Sequence, residues 1–115
     1  MHEWFGHWPS FHDAEIVSIH LTRAGTSTIQ VYPYCPERPA TIEFVLEEIT
    51  DLKLESFSQQ NVIDGLSVGP VLMPDGQDGF RLRMFSLFGV GGYIDARRIR
   101  LNVIPGPSSD KFSQW

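Results

Sequence analysis

Histidine and aspartate stand side by side at His12-Asp13, inside the stretch WPSFHDAEIVSIHL that runs from residue 8 to residue 21. Imidazole nitrogen and carboxylate oxygen both bind metals and both move protons, so such a pair is a natural start for a hydrolase or a metal centre. A metal ion needs all its ligands within ~2 Å. The next histidine downstream is His20, and an extended chain at ~3.3 Å per residue carries it about 26 Å from His12. His2 and His7 are the remaining histidines, so a metal site would require the N-terminal segment to gather on itself. Metal-dependent hydrolases built on an HD pair take further ligands from helices, and helical periodicity is missing here. The pair is therefore expected to be structural. Asp13 would accept from backbone amides two or three residues ahead and fix a turn into a strand, with His12 donating to a carbonyl or carboxylate. Trp4, Phe5, Trp8 and Phe11 bracket the pair and are expected to form a lid over one end of a sheet. No metal and no cofactor is expected.

Other catalytic machinery is not indicated. Cys35 lies between Tyr34 and Pro36 with no acid-base partner in sequence, and no serine sits in a GxSxG turn. Gly89, Gly91 and Gly92 fall between two strand patterns, which makes them turn glycines rather than a phosphate clamp. Two charged groups remain. Glu43, Glu47, Glu48, Asp51 and Glu55 form an acidic run that is either a solvated face or a docking patch for a basic partner. Arg81, Arg83, Arg98 and Arg100 are expected to face one another across a hairpin, which needs compensation. Glutamates on a neighbouring strand would supply it, with Glu43 and Glu47 on the right face. Alternatively the four arginines are an interface for an acidic partner or another copy of the chain. Phe85, Leu87 and Ile94 share that face nearer the turn, as apolar anchors beside a cationic rim.

The elements that must position these groups read as strands. EIVSIHLTR places Val17, Ile19 and Leu21 on one face; TIEFVLEEI alternates Ile42, Phe44 and Leu46 with polar residues; DLKLESF continues with Leu52 and Leu54 inward. TSTIQVYPY is an edge strand or ends at Pro33. SFSQQNVIDGL reads as a loop or single helical turn, and LSVGPVLM as a short piece broken by Gly69 and Pro70. RLRMFSLF and YIDARRIRLNVI flank Gly89-Val90-Gly91-Gly92 as a hairpin, with Phe88 facing Tyr93 and Leu82 facing Ile99. About seven strands with little helix predict a mainly β domain, all-β or α+β, as one antiparallel sheet or sandwich with a C-terminal hairpin. One domain over residues 1–115 is expected, its segment 105–115 a loose tail.

The chain has 115 residues, 42% apolar and 12% aromatic, and one cysteine, which excludes an internal disulfide. Its apolar runs are too short to span a membrane and no secretory leader is visible, so a cytoplasmic protein is expected. The formal net charge of −5 is unevenly placed, about −7 over residues 1–65 and +2 over residues 66–115. An acidic field disfavours nucleic acid and favours basic partners.

Two segments together resemble the immunity protein 50 family of bacterial polymorphic toxin systems. One is Phe11-His12-Asp13-Ala14-Glu15 with Trp8 ahead of it and an apolar strand after it. The other is a leucine-rich strand leading into Phe57-Ser58-Gln59-Gln60-Asn61-Val62. The glycine turn at Gly91-Gly92 and a last strand ending at Pro105 complete the likeness, which spans most of the chain. Ser58 stands where asparagine is expected, and Pro33 to Pro39 follow no family pattern. The resemblance implies a small β-rich binder of one cognate protein toxin, without catalysis or cofactor. On that reading the acidic run from Glu43 to Glu55 touches the toxin.

Overall fold

Apolar residues at every second position give each strand one face that must leave water. The computed structural model describes residues 11–22, 25–33 and 39–105. They form β1 (Ala14–His20), β2 (Thr26–Tyr32), β3 (Ala40–Glu55), β4 (Val62–Leu72), β5 (Asp78–Phe88) and β6 (Gly91–Pro105). The sheet is antiparallel throughout, and the order β1-β2-β3-β6-β5-β4 closes it into a barrel. Two three-stranded meanders are thus joined along β3 and β6, which pair from Ala40↔Pro105 to Glu55↔Gly91. The opposite seam is thin. It rests on Ala14↔Ile63 and Glu15↔Val62, with one further bond from the Ile16 N–H to the Asn61 carbonyl at 2.8 Å. The expected all-β antiparallel class is observed, the sheet having curled on itself.

Phe11, Ile16, Ile29, Val31, Ile42, Phe44, Leu46, Ile63, Leu82 and Ile94 fill the interior. Phe11 plugs one end, its ring centroid 6.2 Å from that of Phe44. Bulges explain where simple alternation fails. In β1 a bulge between Ile16 and Ser18 changes the phase, so Ala14 and Ile16 face inward before it and Ile19 packs on the core after it. Leu21, expected inside with Val17, is exposed. In β3 the phase changes at Glu48, whose φ is +56°, and again between Ile49 and Asp51. The charged break in the sequence is therefore absorbed by bulges rather than a turn. DLKLESF continues β3 instead of forming its own strand, and six strands result among the described residues. Leu54 packs on the core, whereas Leu52 is exposed. β2 ends at Tyr32, ahead of Pro33. β4 runs through Gly69 and Pro70, contrary to expectation. Beyond its two pairs with β1, β4 is paired only to β5 among the described residues, so the missing Pro70 N–H leaves no ladder bond unmade on the open edge.

The C-terminal hairpin has a different register from the expected one. β5 and β6 pair as Phe80↔Ala96, Arg81↔Asp95, Leu82↔Ile94, Arg83↔Tyr93 and Met84↔Gly92. Leu82 thus faces Ile94 rather than Ile99, and because the offset is odd, Arg81 meets Asp95 rather than Arg100. The observed register exchanges two like-charged pairs for one opposite pair, Arg81 with Asp95, and one pairing of Arg83 with Tyr93, and it takes Ile94 and Ala96 fully into the core. The doublet Arg97-Arg98 marks where β6 changes phase: Ile94 and Ala96 point inward before it, and Ile99 packs on the core after it. Arg97 lies there beside Glu48, the out-of-phase residue of β3, with Nε 3.5 Å from Oε2. At Gly92 φ is +134°, and a Cβ would collide with the Lys53 carbonyl. Only glycine permits that approach of β6 to β3.

Candidate interaction surface

His12 and Asp13 sit at the mouth of the thin seam. The turn into β1 is closed by the Ala14 N–H donating to the Phe11 carbonyl at 3.0 Å, with Asp13 at φ +64°. The Asp13 carboxylate does not reach ahead to backbone amides as expected. Its Oδ2 stands 3.1 Å from His12 Nδ1, and His12 Nε2 stands 3.0 Å from Asp64 Oδ1 on β4. His12 therefore ties the approach to β1 to the strand that closes the barrel. Among the described residues no three His, Cys, Asp or Glu side chains are grouped to hold a metal ion. His2, Trp4, Phe5, His7, Trp8 and Cys35 lie outside the described residues, as does the expected loose tail beyond Pro105.

The acidic run is spread along β3, and each of its carboxylates has a donor within the chain. Glu43 accepts from Gln30 Nε2 at 3.1 Å and from Asn102 Nδ2 at 3.2 Å. Glu47 lies 3.3 Å from Arg100, and Glu55 lies 3.3 Å from Lys53. Glu48 faces Arg97, which also holds Asp75 at 2.6 Å. That guanidinium keeps the Asp75 carboxyl below the ordinary carboxylate range. Asp51 accepts from the Tyr93 hydroxyl at 2.9 Å, and this bond pushes the Tyr93 phenol above its ordinary value.

The four arginines do not form one face. Arg81 grips Asp95 through two bonds of 2.7 and 3.0 Å, and its guanidinium covers the Tyr93 ring at 4.2 Å. β5 pairs with β6 only as far as Ala96, so Arg98 and Arg100 lie past its end, opposite Glu47 and Val45 of β3. Arg83 is exposed and has no carboxylate partner among the described residues.

A different surface emerges where the loop after β3 meets the β5–β6 turn. Asn61 is 4% exposed and welds the two. Its Oδ1 accepts from the backbone N–H of Ser58 at 3.0 Å and of Val90 at 2.9 Å, and its Nδ2 donates to the Ser58 carbonyl at 2.6 Å. Ser58 Oγ donates to the Gln60 carbonyl at 2.8 Å. Gly89, at φ +79°, lies so close to Asn61, Gln60 and Ser58 that no side chain fits there. On this rigid corner, large apolar side chains face water: Phe57 is 65% exposed, Phe88 61%, Phe85 47% and Leu87 43%. Ile94, which the sequence placed with Phe85 and Leu87, is buried instead.

No known protein family, curated protein or solved structure matches this chain.

Beside the corner runs a groove of about 430 Å³, between Phe85 and Ser86 on one side and Lys53, Glu55 and Ser56 on the other, with Gly91 and Gly92 along it. A second cleft of about 680 Å³ lies at the β3 bulge, bordered by Leu21, Thr22, Glu47, Glu48, Arg97 and Arg98. In the cleft Glu48 meets Arg97 and Arg98 has no carboxylate among the described residues, while the groove carries Arg83, likewise without one. Phe88, Lys53 and the groove were not singled out from sequence. Phe85-Ser86-Leu87-Phe88 held a signal: after Arg81 and Arg83 the outward-facing positions turn apolar, which a solvated strand does not require.

Proposed function

We propose that this chain is a non-catalytic binding protein that neutralises one cognate bacterial protein toxin in the cytoplasm of the cell that makes it. The observation that carries this reading is the exposed corner of Phe57, Phe85, Leu87 and Phe88 on a hydrogen-bonded turn pair. Clustered exposed aromatics mark interaction sites, and aromatic anchors dominate interface energies. The segment that shapes the corner, Phe57 to Val62, is one of the two that resemble the immunity protein 50 family, which supports a toxin as the partner. Each carboxylate of the acidic run has a donor within the chain, so the exposed apolar corner rather than the run carries this reading.

The test is recovery of the tagged chain from its own cells with whatever it holds. The reading requires a stoichiometric protein that kills cells when expressed alone and is silenced by co-expression of this chain. Phe57→Ala with Phe88→Ala should abolish rescue while the barrel stays folded. A second reading is self-assembly, favoured by the stretch of β6 past Ala96 that has β3 on one side and no β5 partner on the other. Light scattering separates the two: a binder is monomeric until its toxin is added.

A further inference from the structure

The β5–β6 pairing stops at Met84↔Gly92, whereas β5 continues against β4 as far as Val62↔Phe88. Over Phe85 to Phe88, therefore, β5 has no β6 pairing, and the first two of these residues, Phe85 and Ser86, border the groove. Ser56, at φ +64°, lines the same groove, a backbone conformation that non-glycine residues adopt rarely and that clusters at ligand-binding sites.

Charge in the groove is opposite in sign to that of the whole chain. Arg83 is opposite Tyr93 on β6, and Tyr93 is opposite Lys53 on β3. These three side chains form one row across three strands, with neighbouring strands ~4.8 Å apart. In the next row Arg81 is paired with Asp95, and Asp51 accepts from the Tyr93 hydroxyl, so that row offers no free cation. Lys53 has only the solvent-exposed Glu55 at 3.3 Å, a contact that a competing carboxylate displaces easily. Arg83 has no carboxylate among the described residues, so the groove presents two cations and one carboxylate on a chain of net charge −5.

We infer that the groove seats an extended acidic segment of the protein partner, its carboxylates against Arg83 and Lys53 and its apolar side chains on Phe85. This deepens the proposed binding role and rests on it. Arg is suited to the task because its planar fork grips a carboxylate through two bonds.

The test pans a phage-displayed library of random dodecapeptides on the full-length chain, then titrates the enriched peptide by fluorescence anisotropy. The inference expects peptides with adjacent Asp or Glu beside Phe, Leu or Trp. Arg83→Gln should weaken the peptide at least tenfold and Arg83→Glu with Lys53→Glu more, with unchanged melting temperatures. Arg98→Glu, an exposed arginine outside the groove, should change affinity less than twofold. Enriched peptides without acidic residues, equal binding to the Arg83 variants, or preference for a single-stranded RNA over any peptide would each overturn it. A toxin still neutralised by the Arg83→Glu, Lys53→Glu variant but not by the Phe88→Ala variant would overturn the groove and leave the binding role standing.

Discussion

Replacing Asn61 by alanine tests whether the exposed corner is held by one buried amide. The side chain accepts two backbone N–H groups and donates to one carbonyl. The Val90 N–H is the buried partner, since Val90 is 0% exposed, and leaving it unsatisfied costs roughly 1–3 kcal/mol. The two Ser58 groups lie nearer solvent, where water replaces the lost bonds at roughly 0.5–1 kcal/mol each. The expected loss is therefore about 2–5 kcal/mol, or a melting point lowered by roughly 8–20 °C in a domain of this size. Urea unfolding followed by tryptophan fluorescence and by circular dichroism measures it. Asn61→Asp sharpens the test. The carboxylate keeps both amides, which favour the charged form, but its burial and its second oxygen facing the Ser58 carbonyl disfavour it, and the test takes these two as the larger. Protonation restores a donor at that point, so the folded-state pKa lies above the unfolded one. The unfolded chain then binds fewer protons, and stability relative to wild type falls as pH rises. Asn61→Asp should approach wild type near pH 4 and lose stability towards pH 7. A loss under ~1 kcal/mol for Asn61→Ala, or a pH-independent deficit for Asn61→Asp, would refute the assignment.

The other predictions concern separate elements. Phe57→Ala and Phe88→Ala should leave stability within about 0.5 kcal/mol, because exposed side chains lose little on truncation, yet weaken the partner complex more than tenfold by calorimetry. Gly92→Ala should destabilise the barrel by more than about 3 kcal/mol, by steric conflict with Lys53 at a positive φ, read as the urea midpoint. Asp75 has a folded pKa below its unfolded value, so its pair with Arg97 stabilises above the unfolded pKa and is lost as pH falls through the folded one. Asp75→Asn should accordingly flatten the acid limb of the stability profile and leave the alkaline limb unchanged. The Tyr93 phenol is held neutral by Asp51, so Asp51→Asn should lower its titration midpoint in ultraviolet difference spectra.

What the sequence showed of the fold was its class, and what it hid was phase. Ile42, Phe44 and Leu46 alternate cleanly, and all three are buried where the alternation puts them. Ile16, Ile49 and Ile99 lie next to bulges or phase changes, and a single extra residue there reverses every side chain that follows. Such sites leave traces that look like noise in one strand: the Glu47-Glu48 doublet in β3 and the Arg97-Arg98 doublet in β6. Read together, two adjacent charged doublets of opposite sign on partner strands identify one shared irregularity, and Glu48 does meet Arg97.

The same logic governs the binding surface. Charge runs attract attention in a sequence because they are contiguous, but contiguity along a strand places alternate residues on opposite faces or beside different neighbours. The five carboxylates from Glu43 to Glu55 accordingly meet Gln30, Arg100, Arg97, Tyr93 and Lys53 in turn. Of the stripe of four, Arg81 and Arg100 meet carboxylates, Arg83 and Arg98 do not among the described residues, and Arg83 is the one beside the groove. This follows from a hairpin register that Asp95 sets: by holding Arg81 it draws β6 into place and leaves Arg83 next to Tyr93. A carboxylate paired inside the fold thus determines which cation faces outward. Asp95→Asn should loosen that register before it alters the composition of the surface, and nuclear Overhauser contacts between Leu82 and Ile94 are the place to see it.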